Sequence, residues 1–306
     1  ALCDGTDVFV AGIMQHIEEA GIHSGDSACV IPAYELTTTA RQQIIDYTKR
    51  LAITLNTIGL INIQFAIKNS TVYVIEVNPR ASRTVPFVSK VIDLPLAKYA
   101  AQIATGKTIN DFNINSNNND LIAVKKPVFP FNKFPKQNIY LSPEMKSTGE
   151  VIGFDKHLGS AYAKAEIGAG NILPSKGTVF ISVNDSDKRS AISVARDFKE
   201  IGFKIIATQG TANLLSSNGI AVNKIFKVGE GRPNIVDSIK NEEVNLIINT
   251  PLGAQSRYDE YDIGHSAIRY KIPIITTISG AQAAIRGIRN IKLKAIEYQS
   301  LQDIFN

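Results

Sequence analysis

The sequence predicts an α/β chain in two parts: an antiparallel sheet with helices, then a doubly wound parallel sheet of Rossmann type. Three observations carry that reading. Residues 61–83, INIQFAIKNSTVYVIEVNPRASR, read as two strands around a tight turn. After Pro174 the pattern changes to short continuous apolar runs, such as VFISV at 179–183 and NLIIN at 245–249, separated by helical stretches. Strands of that kind are buried on both faces, which requires a parallel sheet covered by helices. Between the two patterns, Gly168-Ala169-Gly170 marks a linker, so the domains are expected to run 1–171 and 172–306.

The gross numbers agree with two domains. The chain has 306 residues, 44% hydrophobic and 20% charged, the balance of a globular protein that stays in water. It contains neither a run of 18 apolar residues nor a basic-then-apolar leader, so neither a membrane nor export is expected. Two cysteines make no disulfide framework, and a reducing cytoplasm is the default. A net charge of +5 without a basic stripe suits anionic small molecules and gives no nucleic-acid signature.

Taken in order, Asp4-Gly5-Thr6 reads as a hairpin turn whose first strand is nearly missing, with Val8, Val10 and Ile13 along the second. One arm cannot hold a hairpin, so the expectation is a C-terminal piece of a longer chain. Residues 16–27, HIEEAGIHSGDS, form a polar loop. Thr37, Thr38 and Thr39 can cap a helix from about Ala40 to Asn56, with Ile44, Tyr47, Leu51 and Leu55 as its buried stripe. Gly59 ends it and the central hairpin follows. Val88 to Thr105 reads as one or two helices broken near Pro95. Six asparagines fall between 110 and 119, a turn-rich loop. Phe129-Pro130-Phe131 and Ser147-Thr148-Gly149 lie among short strands or loops, before a helix at 160–167.

In the second part, strands are expected at 179–183, 203–207, 222–226, 245–249 and 273–277. Helices alternate with them at 188–201, from Thr208 to Asn218, 235–240, 263–270 and 281–288. Ligands of doubly wound sheets bind beyond the carboxyl ends of the strands. That rule puts Thr208-Gln209-Gly210-Thr211 at a helix start, where free amides and the helix dipole favour a phosphate. Lys188 opens the preceding helix and Lys227 follows the next strand; a turn with capping threonines is the plainer alternative.

The hairpin carries the first part's chemistry. With Asn69, Ser70 and Thr71 at the tip, Lys68 pairs with Val72, and Ile63, Phe65 and Ile67 oppose Val77, Ile75 and Tyr73. One face is then wholly apolar, and burial selects that register. The other face sets Asn62 opposite Asn78 and Gln64 opposite Glu76, followed by Arg80 and Arg83. A carboxylate beside amide oxygens suits Mg²⁺ or Mn²⁺, which complete their shells with phosphate and water. An ordinary hairpin with a solvated polar face fits the same pattern.

The run I-E-V-N-P-R with Ser82, Arg83 and Thr84 resembles the nucleotide-binding strand of the ATP-grasp ligases. The longer match resembles the carbamate-phosphorylating half of carbamoyl-phosphate synthase large chains. It runs through G-I-H-S-G-D-S-A at 21–28, V-P-F-V-S-K at 85–90, F-P-F-N-K-F at 129–134, S-T-G-E-V at 147–151 and A-T-Q-G-T at 207–211. The resemblance implies that 1–171 is the C-terminal half of an ATP-grasp domain and 172–306 a methylglyoxal-synthase-like regulatory domain. It implies ATP at Gly21, Ile22, His23, Ser24, Gln64 and Glu76, and Mg or Mn at Gln64, Glu76 and Asn78. Arg80 and Arg83 would face the acceptor or the transferring phosphoryl group. A nucleotide effector such as UMP would place its phosphate on Lys188, Thr208, Thr211, Lys227 and Asn249.

The implied partners are the remainder of the large chain and a glutamine amidotransferase small subunit, in an oligomer serving arginine and pyrimidine biosynthesis. Glu18 and Asp26 match carboxylates that hold the activator ornithine, but Lys126 stands at the third such position, Ile274 replaces an expected tyrosine, and Pro251 stands where a hydroxyl residue is common. Loss of ornithine activation is therefore expected, with Lys126 pairing instead to Glu18 or Asp26. Asp185 and Asp187 lie near the start of the second part but match no catalytic aspartate of methylglyoxal synthase. By itself the piece is expected to make no carbamoyl phosphate, and the stretch from Leu173 onward to fold alone. A stand-alone sensor of nucleotide monophosphates is the alternative function.

Overall fold

The computed structural model describes residues 1–114, 120–131, 133–134, 141–250 and 257–305. The asparagine run at 115–119, Asn132 and Pro251 lie outside them. Contacts divide the chain into two compact units. The first comprises Ala1–Gln15, Cys29–Ala123 and Glu297–Asn306; the second comprises His16–Ala28 and Val124–Ile296.

The first unit begins with strands β1 (Leu2–Asp4) and β2 (Val8–Phe9). Short strands β3 (Gln15–His16) and β4 (Cys29–Ile31) precede helix α1 (Thr38–Thr54). Then come β5 (Ile58–Leu60), β6 (Asn62–Lys68), β7 (Thr71–Asn78), α2 (Thr84–Val91) and α3 (Leu96–Ala104). The first arm is not a dangling one. β1 runs antiparallel between β2 and β5, so Leu2 and Cys3 are paired on both sides and wholly buried. Sequence pattern missed β5, because three residues are too few to display an alternation of their own.

Thr37 caps α1 as expected, its hydroxyl accepting from the Ala40 amide at 3.2 Å. The buried stripe is Ala40, Ile44, Thr48 and Ala52, while Leu55 is exposed. Ala40 and Ile44 pack with Val72 from the hairpin, and Phe65 and Tyr47 close around them. Pro95 separates α2 from α3, as the sequence suggested, although α2 begins at Thr84, earlier than Val88.

The second unit takes in β8 (Ile122–Val128) from Val124 onward, its sheet neighbour β9 (Gly149–Asp155), and α4 (Leu158–Gly168). The doubly wound sheet follows: β10 (Thr178–Val183), α5 (Lys188–Glu200), β11 (Lys204–Thr208), α6 (Gln209–Ser217) and β12 (Asn223–Ile225). It continues through α7 (Ile235–Lys240), β13 (Leu246–Thr250), α8 (Arg257–Arg269), β14 (Ile274–Ile275) and α9 (Ile278–Leu293). A short α10 (Leu301–Phe305) belongs to the first unit.

All four pairings in this sheet are parallel, in the order β12-β11-β10-β13-β14. The chain thus winds outward from β10 through β11 to β12, returns to β13 on the other side of β10, and ends at β14. α5 shows why the pattern was readable: Ala191, Val194, Ala195 and Phe198, spaced i, i+3, i+4, i+7, are all fully buried. Phe180, Ile235, Ile239, Ile247 and Ile263 form the core on the α7–α8 side. Each such side chain contributes about 1.5–3 kcal/mol by leaving water.

α8 and α9 run longer than expected, because their end turns add few apolar residues to the stripe that marks a helix in sequence. α9 lies directly on α4. A Cβ on Gly159 would stand 2.5 Å from the Arg286 carbonyl, so only glycine fits that crossing.

Candidate functional site

The candidate metal face depends on the hairpin's register, which differs from the sequence expectation at the tip and agrees at the base. The turn has two residues, not three. Asn69 and Ser70 have φ of 51° and 63°, the left-handed pair of a type I′ turn, and Lys68 pairs with Thr71. Ile67 then pairs with Val72 and Phe65 with Val74, one step off the expected partners. A bulge beside Gln64 and Phe65 takes up the extra residue. Beyond it Gln64 pairs with Glu76, Ile63 with Val77 and Asn62 with Asn78, as the sequence predicted.

The wholly apolar face is therefore a correction. Ile63, Val77, Phe65 and Val72 pack inward, whereas Tyr73 and Ile75 are 51% and 53% exposed. The polar face survives because the bulge lies between it and the turn. On that face the Asn78 amide donates to Glu76 Oε1 at 3.1 Å and Arg80 donates to Asn78 Oδ1 at 3.2 Å. Arg80 also donates to the Ala81 carbonyl at 2.9 Å. Glu76 and Arg80 are exposed; Gln64, Asn78 and Arg83 are half-buried.

One carboxylate with two amide oxygens fits a hard divalent ion that keeps water and substrate phosphate in its shell. Among the described residues no group of three or more His, Cys, Asp or Glu is placed to hold a metal without such help.

Gly21, Ile22, His23 and Ser24 belong to the second unit. Gly21 has φ of 100° with nothing within 4 Å of where a Cβ would stand, so the chain turns there beside open space. His23 Nδ1 accepts from the Gly25 amide at 3.0 Å, and its own amide donates to the Ser142 carbonyl at 3.0 Å.

The carboxylates matched to ornithine are engaged within the protein. Asp26 is fully buried and its two oxygens accept from the Lys146 amide at 2.7 Å and the Ser147 amide at 2.9 Å. Lys126 does not form the expected pair with Glu18 or Asp26. It binds Glu166 at 2.8 Å and lies over the Tyr162 ring, 5.5 Å from its centre. Glu166 also accepts from Asn171 at 2.9 Å. Burial pushes the Glu18 carboxyl up, the Lys126 charge pulls it down, and the Ala28 amide donates to it at 2.5 Å. Burial likewise opposes charge on Glu166, but Lys126 holds its carboxyl below the usual range. Glu166 was not legible as part of this cluster, since 40 residues separate it from Lys126.

The second site sits where strand order reverses, between β10 and β13, the position at which doubly wound sheets bind ligands. The register sets Ser182 beside Asn249 and Val183 beside Thr250. Thr208 Oγ1 lies 3.3 Å from Ser182 Oγ. Thr211 Oγ1 accepts from the Val183 amide at 3.4 Å, which leaves its proton to donate. Lys188 points the same way: a Cβ on Gly210 would be 3.7 Å from its ammonium.

Lys188 pairs with Asp185 at 2.5 Å and holds that carboxyl below its usual range, first by this hydrogen bond and charge and then with a contribution from Lys227. Lys227 is therefore part of the same neighbourhood. Its backbone amide donates to Glu230 at 3.0 Å. The structure thus brings Lys188, Thr208, Thr211, Lys227 and Asn249 to one end of the sheet. It adds Ser182 and Asn184, which pattern alone missed. Asn184 ties Asp187 at 2.7 Å to the Thr250 carbonyl at 3.2 Å, shaping the loop before α5. Val228, next to Lys227, lines a groove of about 820 Å³ with Arg232, Asp262 and His265.

Comparison with known proteins bears on both parts. Residues 3–112 match the family described as carbamoyl-phosphate synthase L chain, ATP binding domain, and residues 190–276 match the MGS-like domain. The chain is 54% identical, over 99% of its length, to a carbamoyl phosphate synthase large chain from Acidobacterium capsulatum. It is 52% identical over 99% of its length to one from Archaeoglobus fulgidus. In each case it spans 28% of the relative. A protein of Aquifex aeolicus named carbamoyl phosphate synthase large chain, C-terminal section, is 44% identical; there the match covers all of this chain and 61% of the relative.

Proposed function

We propose that this chain, homologous along its length to the C-terminal part of carbamoyl phosphate synthase large chains, serves the ATP-dependent phosphorylation of carbamate to carbamoyl phosphate. The observation that carries the reading is the outward polar face of the hairpin, with Gln64 opposite Glu76 and Asn62 opposite Asn78. Phosphoryl transfer asks the protein mainly for positioning and charge neutralisation. Gln64, Glu76 and Asn78 would hold Mg²⁺ or Mn²⁺, which when bound neutralises the ATP phosphates. Arg80 and Arg83 would pair with the oxyanions of the acceptor or the transferring group, for which a planar guanidinium that never loses its charge is suited. Gly21, Ile22, His23 and Ser24 would contact ATP.

Glu76→Gln keeps the shape and removes the charge. In a full-length large chain carrying these residues it should lower carbamate-dependent ATP turnover tenfold or more, because one charge-assisted contact contributes about 1.5–3 kcal/mol. Unchanged turnover at saturating Mg²⁺ would show that Glu76 holds no metal.

The same proposal assigns 1–171 to the ligase domain and 172–306 to a regulatory domain. In the latter, Lys188, Thr208, Thr211, Lys227 and Asn249 bind the phosphate of a nucleotide such as UMP. The convergence of these residues at the carboxyl end of the sheet supports it. Calorimetry on the 306-residue chain tests it. Thr211→Val removes a hydroxyl donor to phosphate and should weaken UMP roughly tenfold or more; equal affinity rejects the placement. The partners on this reading are the remainder of the large chain and a glutamine amidotransferase small subunit, in a cytoplasmic oligomer.

A further inference from the structure

A lysine at the middle of an apolar strand is costly, and Lys125 in β8 is wholly buried. Its ammonium donates to two main-chain carbonyls, Ser24 at 3.0 Å and Gly25 at 3.4 Å. From the other side the Asp26 carboxylate takes the Lys146 and Ser147 amides, and Ser147 Oγ donates to the Gly25 carbonyl at 3.3 Å. Within the segment, Asp26 donates its amide to the His23 carbonyl at 2.9 Å. Further back, Thr277, the N-cap of α9, donates its hydroxyl to the Ile17 carbonyl at 3.4 Å. Two buried groups of opposite charge thus direct their hydrogen bonds to the main chain around one short segment. That use fixes a backbone path, since for stability alone a packed apolar side chain could take the place of the ammonium.

We infer that Lys125 is a positioning residue: with Asp26 it holds the main chain of residues 21–26 in the path that presents Gly21, Ile22, His23 and Ser24 to ATP. This rests on the reading of 21–24 as an ATP contact. It adds a residue that neither touches ATP nor lies on the hairpin. It also binds the ATP segment to the compact unit that contains the parallel sheet, to which residues 16–28 belong.

The test is Lys125→Met, which keeps length and removes the ammonium, in a full-length large chain carrying these residues. Amide exchange read by mass spectrometry should quicken at least tenfold in the peptide 21–27 and stay unchanged in β10. The KM for ATP should rise at least fivefold with kcat within twofold. Wild-type exchange in 21–27 overturns the inference. Faster exchange with an unchanged KM leaves the clamp standing and rejects ATP contact by Gly21–Ser24. Should Lys125→Met fail to fold, Asp26→Asn, which keeps the shape and loses the charge on the opposite side, carries the same two readouts.

Discussion

Lys125 is felt by its neighbours as well as by the loop it holds. Burial first, and the Lys125 charge second, lower the pKa of His16 from 6.5 to about 4. Above pH 6.5 the imidazole is neutral in both folded and unfolded chains and stability does not depend on it. Between pH 6.5 and 4 the unfolded chain takes up a proton that the folded chain refuses, so stability falls with pH, by on the order of 2–3 kcal/mol in total. Glu18 works the other way, since burial raises its carboxyl and the folded form accepts a proton sooner. The His16 contribution is therefore read as a difference. Urea unfolding of wild type should weaken more between pH 6.5 and 4 than that of His16→Gln; parallel pH profiles would show that His16 is not buried neutral. Lys126, one residue along, teaches a related lesson. A cation in the sequence pattern A-V-K-K-P-V was legible, but its partner was not, because Glu166 reaches it from α4.

At the scale of elements, the hairpin shows how a shifted tip and the expected pairing at the base coexist. A two-residue turn shifts the pairing near the tip by one, and the bulge restores it before Gln64. The polar face is thus a property of the hairpin base, insulated from the turn. Ser70 sits in the left-handed region at φ 63°, which costs a residue with a Cβ about 1–2 kcal/mol. Ser70→Gly makes the favoured Asn-Gly turn. Net of the added unfolded-state entropy, it should stabilise the first unit by roughly 0.5–1 kcal/mol. Denaturant melts of that variant check this, and a loss of stability would contradict the turn type. The switch-point site is an element-scale result too. Its residues cluster at the carboxyl ends of strands and the starts of helices, positions that the alternation of strand and helix makes legible.

At the scale of the whole molecule, the compact units and the linker glycines mark different places in the chain. The linker glycines 168–170 suggested that everything from Leu173 onward stands alone. Contacts instead place β9 and α4 with the parallel sheet, and α4 covers α9, where Gly159 meets the backbone of Arg286. Ala163 and Leu173 close on Gly287 from the same seam. A chain beginning at Leu173 loses the cover that α4 gives α9, whose Ala283, Ala284 and Ile288 are all buried in the intact protein. Its melting temperature should fall several degrees below that of the same domain within the 306-residue chain, given about 0.8 kcal/mol for each buried methylene exposed. Equal melting temperatures would show that α4 adds no stability to the parallel-sheet domain.

What the sequence determined by itself is whatever is written in one segment's own periodicity. The strands and helices of the second part follow from apolar runs and i, i+3, i+4 stripes, as in α5. That residues 61–78 form a hairpin follows from alternation either side of a turn, whereas the pairing of Gln64 with Glu76 depends on a bulge that alternation does not show. The position of Thr208–Thr211 at the carboxyl end of the sheet follows from a helix opening after a strand. Tertiary structure decided what lies far apart in the chain: Lys125 against Ser24, Asp26 against Ser147, Lys126 against Glu166, α4 against α9. The reason is physical. Local pattern records which face a residue turns inward, whereas the partner it meets there is chosen by packing between segments, and a buried charge must accept whichever polar group that packing supplies.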